Sequence, residues 1–191
     1  LSGLALVGGL AVLPVWRSVL LTNLGTVERL KGQASAARSA YEAAIGLEPR
    51  SWTARRGLGL LDDAASLPGR AVPEYQAAIA DGARGQLVHF ELGQALAASG
   101  DAAAATVEWR HSDAASYFVR QAAAVADDSE AEGALKRAIS IDPMTAGAYQ
   151  GLVRLYLSQG RLMDARATLA QELTLPAEPA PARSQAYLLQ G

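Results

Sequence analysis

From Leu1 to Trp16 the chain carries no charged residue, and Arg17 is the first. Downstream, apolar positions recur with a helical period. Ala37, Ala40, Tyr41, Ala44 and Ile45 fall at i, i+3, i+4, i+7 and i+8, which is one stripe along a helix. Gly32, Gly100 and Gly160 interrupt such stretches midway, where a left-handed glycine ends one helix before the next begins. Pro49, Pro143 and Pro176 stand where the rhythm stops, because proline cannot continue a helix. The pattern predicts short helices joined in antiparallel pairs.

The pairs repeat. Shifted by 34 residues, Asn23-Leu24-Gly25 falls on Gly57-Leu58-Gly59 and then on Glu91-Leu92-Gly93. Ala37, Ala71 and Ala105 recur at that interval, as do Tyr41, Tyr75 and Trp109, with Ala44, Ala78 and Ser112 behind them. Two later copies are in phase with each other through Ala131 and Ala165, and through Leu135 and Leu169. Between the third and fourth copies the spacing is 26 rather than 34. Small residues let neighbouring helices approach, aromatics fill the space between them, and stacking makes one continuous core.

These residues resemble the tetratricopeptide repeat family. Asn23 to Pro49 carries its Leu-Gly, mid-turn Gly, small Ala, aromatic, Ala and terminal Pro, and Ile139-Ser140-Ile141-Asp142-Pro143 ends the fourth unit as Leu47-Glu48-Pro49 ends the first. Departures are Val119 and Val153 where Gly is usual, and Glu172 where Ala is usual. The resemblance implies an all-α solenoid of about five helix-turn-helix units over 18–51, 52–85, 86–111, 112–145 and 146–176. Ala177 to Ala182 reads as a Pro/Ala linker, and 184–191 as the start of a further helix.

Residues 1–17 read as the end of a membrane span. A span needs ~20 apolar residues. Trp16 and Arg17 then mark the interface, as an amphipathic ring and a snorkelling cation. Ala5 and Gly9 form a small-xxx-small pair. The competing reading is an apolar helix capping a soluble array. Four basic residues and one acid between Arg17 and Arg38 lean towards a cytoplasmic array, and the sidedness stays open.

Composition narrows the chemistry. With 41 Ala against 15 Ile plus Val, a β-rich fold is disfavoured. The absence of Cys excludes disulfides and thiolate metal sites, and a net charge of −2 offers no basic face for nucleic acid. Gly8-Gly9 has no Lys and no preceding strand, so it is no phosphate loop. Asp62-Asp63 and Asp127-Asp128 read as solvated pairs beside turns, and His89, near Arg84 and Glu91, lacks a partner at metal spacing. No catalytic residue, metal or cofactor is implied.

The resemblance implies a binding scaffold whose first helices line a groove for a peptide or partner helix. It places Thr26, Leu60, Gln94, Arg120 and Arg154 in one row and Arg56, Phe90, Ser116 and Gln150 in the next. The arginines would grip a carboxylate or acidic segment, against the reading that all are simply solvated. A chaperone-tail clamp would need matches at Thr22 and Thr26, which are wrong. The short junction predicts a shortened helix or a lost loop, with Trp109, His111 and Tyr117 as a second candidate interface. Trp109 also fits the core, since it shares a register with Tyr41 and Tyr75. The expected job is a membrane-anchored accessory subunit or assembly factor with protein partners, membrane subunits among them. The alternatives are a soluble peptide adaptor and the C-terminal part of a multi-span envelope polymer enzyme.

Overall fold

The computed structural model describes residues 3–176, with side chains from Pro14 onward. These residues form ten α-helices and no strand, in two compact units divided after Asp113. The first unit holds α1 (Gly3–Leu30), α2 (Ala34–Leu47), α3 (Trp52–Ala64), α4 (Pro68–Ala80), α5 (Gln86–Ala98) and α6 (Ala102–Arg110). The second holds α7 (Ala114–Ala124), α8 (Asp128–Ile141), α9 (Ala146–Ser158) and α10 (Leu162–Leu173). Within each unit every helix packs on the next, and α1 on α3 and α7 on α9 as well.

The turn chemistry follows the sequence. Gly32, Gly100 and Gly160 have φ of +77°, +95° and +72°, the left-handed cap in which a Cβ would be strained. The second pair has no glycine there, and Ser66 takes φ +56° instead, an unfavourable conformation for an L residue. Asp101 and Asp127 cap α6 and α8 by accepting from the backbone N–H of Ala104 and Glu130.

Small-to-large complementarity makes the core. Tyr41, Tyr75 and Trp109 are almost fully buried. A Cβ on Gly25 would stand 2.7 Å from the Tyr41 ring, so only glycine admits that approach, and Gly57 and Gly93 make the same room for Tyr41 and Trp109. In the second unit Leu135 holds this register, with a Cβ on Gly151 only 2.7 Å from its Cδ2.

Three expectations change. The apolar stretch and the first repeat helix are one continuous helix, α1, with Pro14 and Arg17 both inside it. The membrane span expected over 1–17 falls mostly on side chains outside those described, the small-xxx-small pair of Ala5 and Gly9 included, as does the linker from 177 onward. Among the described residues no helix is long and apolar enough to cross a membrane. Finally, Asp62 is not solvated. It is buried on α3, 2.5 Å from Arg38 and 3.6 Å from Arg70, while Asp63 accepts the Tyr75 hydroxyl at 2.6 Å. Burial pushes the Asp63 carboxyl above its ordinary pKa.

Of the eight missing residues at the junction most come out of helix, and two out of the connection, which is 111–113 against 81–85 one repeat earlier. α6 has 9 residues against 14 in α2 and 13 in α4, and α7 has 11 against 13 in α3.

Candidate partner-binding site

The predicted groove residues fare differently in the two units. In the first, Arg56 on α3 donates to both carboxylate oxygens of Glu91 on α5, at 2.6 and 2.5 Å. This pairing raises the Arg56 pKa and uses the bidentate geometry that a ligand carboxylate would need. Phe90, Gln94 and Leu60 are half-buried. Thr22 and Thr26 turn their hydroxyls onto the carbonyls of Ser18 and Thr22, and Thr26 also meets the Tyr41 hydroxyl at 3.2 Å, so both are engaged inside the unit.

In the second unit Arg120 on α7 and Arg154 and Gln150 on α9 are exposed, and Ser116 is half-buried. Neither arginine has a hydrogen bond or ion pair among the described residues. Arg154 stands at a cavity of about 410 Å³ between α7, α8 and α9, whose apolar wall includes Val119, Ala122, Leu135, Gly151 and Leu155. That volume lies at the small end of ligand sites, ~300–1,000 Å³. Apolar walls with a free guanidinium at the rim suit an aliphatic or aromatic side chain next to a carboxylate. Asp128 also lines the cavity and accepts from Gln159 at 3.0 Å, so its anionic end is partly engaged.

Leu135 lines the cavity and holds the register that Tyr41, Tyr75 and Trp109 hold in the first unit. Tyr41 reaches from α2 between Gly25 and Gly57, whereas Leu135 has Val119 and Gly151 as its counterparts and leaves space beside them. The signal was present in the register Tyr41, Tyr75, Trp109, Leu135, which breaks at its fourth member.

The junction residues separate. Trp109 is 2% exposed and fills the core against Gly93, which removes it as an interface anchor. His111 is exposed at the end of α6, its ring 5.3 Å from that of His89. His89 bonds through Nδ1 to Glu108 at 2.8 Å. Tyr117 is partly exposed, edge-on to the Phe118 ring at 5.3 Å. Trp16 and Arg17 are both exposed near the start of the described side chains. Among the described residues no group of three His, Asp or Glu is placed to hold a metal ion.

Residues 22–61 match the family model described as tetratricopeptide repeat. No curated protein matches the chain. Among solved structures, the chain is similar in fold to MamA (19% identity, TM-score 0.55, covering 85% of this chain and 98% of that one). It is similar also to YrrB, described as a TPR protein with an unusual peptide-binding site (16% identity, TM-score 0.52, covering 80% and 83%). A third likeness is to pilF of Pseudomonas aeruginosa (14% identity, TM-score 0.52, covering 87% and 80%).

Proposed function

We propose that this chain, a tetratricopeptide-repeat protein in its fold and, over residues 22–61, in its sequence, is a non-catalytic scaffold that holds a segment of a partner protein at its second unit. The observation that carries this reading is the cavity at Arg154, a recess with an apolar wall, a polar rim and an unpaired cation on it. The ligand it fits is an extended segment that inserts one large apolar side chain and presents a carboxylate from Asp, Glu or a chain end. Arg120, about one turn before the end of α7 in the same layer of first helices, adds positive charge that speeds encounter with an acidic partner.

The scaffold works at a membrane in this proposal. α1 begins by Gly3, well ahead of the residues that pack on α2, and Trp16 and Arg17 are exposed where an interfacial pair would sit. An accessory subunit or assembly factor of a membrane complex is the job that joins an apolar N-terminal stretch to a protein-binding array.

Purification in mild detergent, with mass spectrometry of what comigrates, supplies the partner. Arg120→Glu with Arg154→Glu should then lose it while circular dichroism keeps its helicity. Equal recovery of the partner by the double variant would remove the site. Carbonate extraction tests the anchor separately, since release into the soluble fraction leaves a peptide-binding adaptor and no membrane role.

A further inference from the structure

α1 has two faces. Ser18, Thr22 and Gly25 are buried on one, where Ser18 donates to the carbonyl of Ala44 at 3.0 Å. The opposite face is apolar and uncovered: Trp16 is 63% exposed, Leu20 66%, Val27 45% and Leu30 74%. With exposed Asn23 these residues follow steps of four, three, four and three, a repeat of 3.5 residues. That period is the one that keeps a seam facing a second helix as two helices wind together. Val19 and Leu24, also exposed, flank the seam on its two sides.

We infer that this face pairs with α1 of a second copy of the same chain, in parallel. The seam is complementary to itself. In a parallel pair Asn23 meets Asn23 of the other copy, where one side-chain amide donates to the other's carbonyl and neither is left without a partner in the seam. Flanking positions then set Val19 beside Leu24 and Thr26 beside Lys31, with no like charges opposed. Reversed, the seam would bring Arg17 alongside Lys31 of the other copy, a repulsive pair. The helix is already held by α2 and α3, so pairing does not have to supply the cost of forming it.

Other occupants fit less well. A bilayer covering Leu30 would also have to take in Glu28 and Lys31, which form an ion pair at 3.2 Å beside it. Residues 177–191 bring only Tyr187, Leu188 and Leu189 as large apolar side chains, too few for a seam of this length. From Trp16 to Leu30 the seam runs for ~21 Å. It therefore makes a concentration-dependent dimer rather than an obligate one.

The chain has no cysteine, so one introduced thiol reports alone. In the full chain in mild detergent, Leu30→Cys should give a disulfide-linked dimer on mild oxidation, at least tenfold faster than Leu24→Cys on the exposed flank. Leu20→Glu with Val27→Glu should weaken self-association in sedimentation at least tenfold with helicity unchanged; should that pair unfold the chain, Leu20→Gln with Val27→Gln takes its place. Equal cross-linking by the two thiols, no cross-linking by Leu30→Cys, or a dimer that survives the polar pair overturns the inference. Cross-linking of Leu30→Cys to a different protein in a membrane extract overturns it too, and hands the face to that partner.

Discussion

The two units use one repeat and differ in what occupies the gap between successive helix pairs. In the first unit Tyr41 and Tyr75 fill it from below, and the charges nearby are consumed internally: Arg56 by Glu91, Arg55 by Asp81 at 2.5 Å, Arg38 by the buried Asp62. In the second unit Leu135 stops short of filling it, a cavity opens, and Arg120 and Arg154 have no ion pair among the described residues. Its ion pairs lie on the outside, gathered on Glu132, which accepts from Arg161 at 2.7 Å and Tyr156 at 3.0 Å and meets Lys136 at 2.6 Å. A closed array is good for stability and an incompletely closed one for binding. In the proposed reading a single chain divides the two tasks.

The sharpest way to break this contrast is to crowd each gap. Gly57→Leu drives a side chain into the Tyr41 ring and should cost ~3 kcal/mol or more in urea unfolding. Gly151→Leu meets only the flexible end of Leu135 beside empty space and should cost less than half as much. Equal costs would mean that the second gap is not open in solution. Next in size comes the ion pairing. Arg38→Met leaves Asp62 to the more distant Arg70 and should cost ~2–3 kcal/mol, because an unpaired buried carboxylate is expensive. Arg161→Met, on the surface of the second unit, should leave the urea midpoint almost unchanged, because exposed pairs are screened by solvent.

Exchanging the fillers is a finer test. Tyr41→Leu should cost ~2 kcal/mol by opening a space beside Gly57. Leu135→Tyr should gain up to ~1 kcal/mol by closing the cavity and should abolish partner recovery. A stabilised variant that still binds would move the site elsewhere.

The smallest effect is in acid. The cations around Glu132 hold its carboxyl at about 2, below its ordinary 4.5. Its contribution is full above the ordinary value and drains away as pH falls from there towards 2. Asp63 and Glu74 in the first unit run the other way: burial raises both, so protonation relieves them. Acid should therefore loosen the second unit first. All three Trp lie in the first unit, at 16, 52 and 109. Tryptophan emission should hold while far-UV ellipticity begins to fall, and coincident transitions would refute the order.

What the sequence made legible is what period and residue size encode. The 34-residue interval fixed the helix pairs, the glycines named three of the turns, and the place of Trp109 beside Tyr41 and Tyr75 marked it as core. Pairings that depend on which cation lies across from which carboxylate were not legible. Arg56 and Glu91 are 35 residues apart and read separately as a groove cation and a neighbour of His89. Asp62 read as solvated because nothing local marks the arrival of Arg38 from another helix. The cavity lay between these cases, encoded in Leu135 and visible only once that side chain is set against Gly151.

The Leu135 position carries a wider consequence for how such arrays diversify. One side chain per repeat, at a fixed register on a second helix, decides whether the cleft above it is shut or open. The backbone and the glycine opposite can stay as they are while that residue changes. A duplicated repeat thus inherits a latent site that one or two nucleotide substitutions can unlock or seal, so new specificity does not have to wait for a new fold.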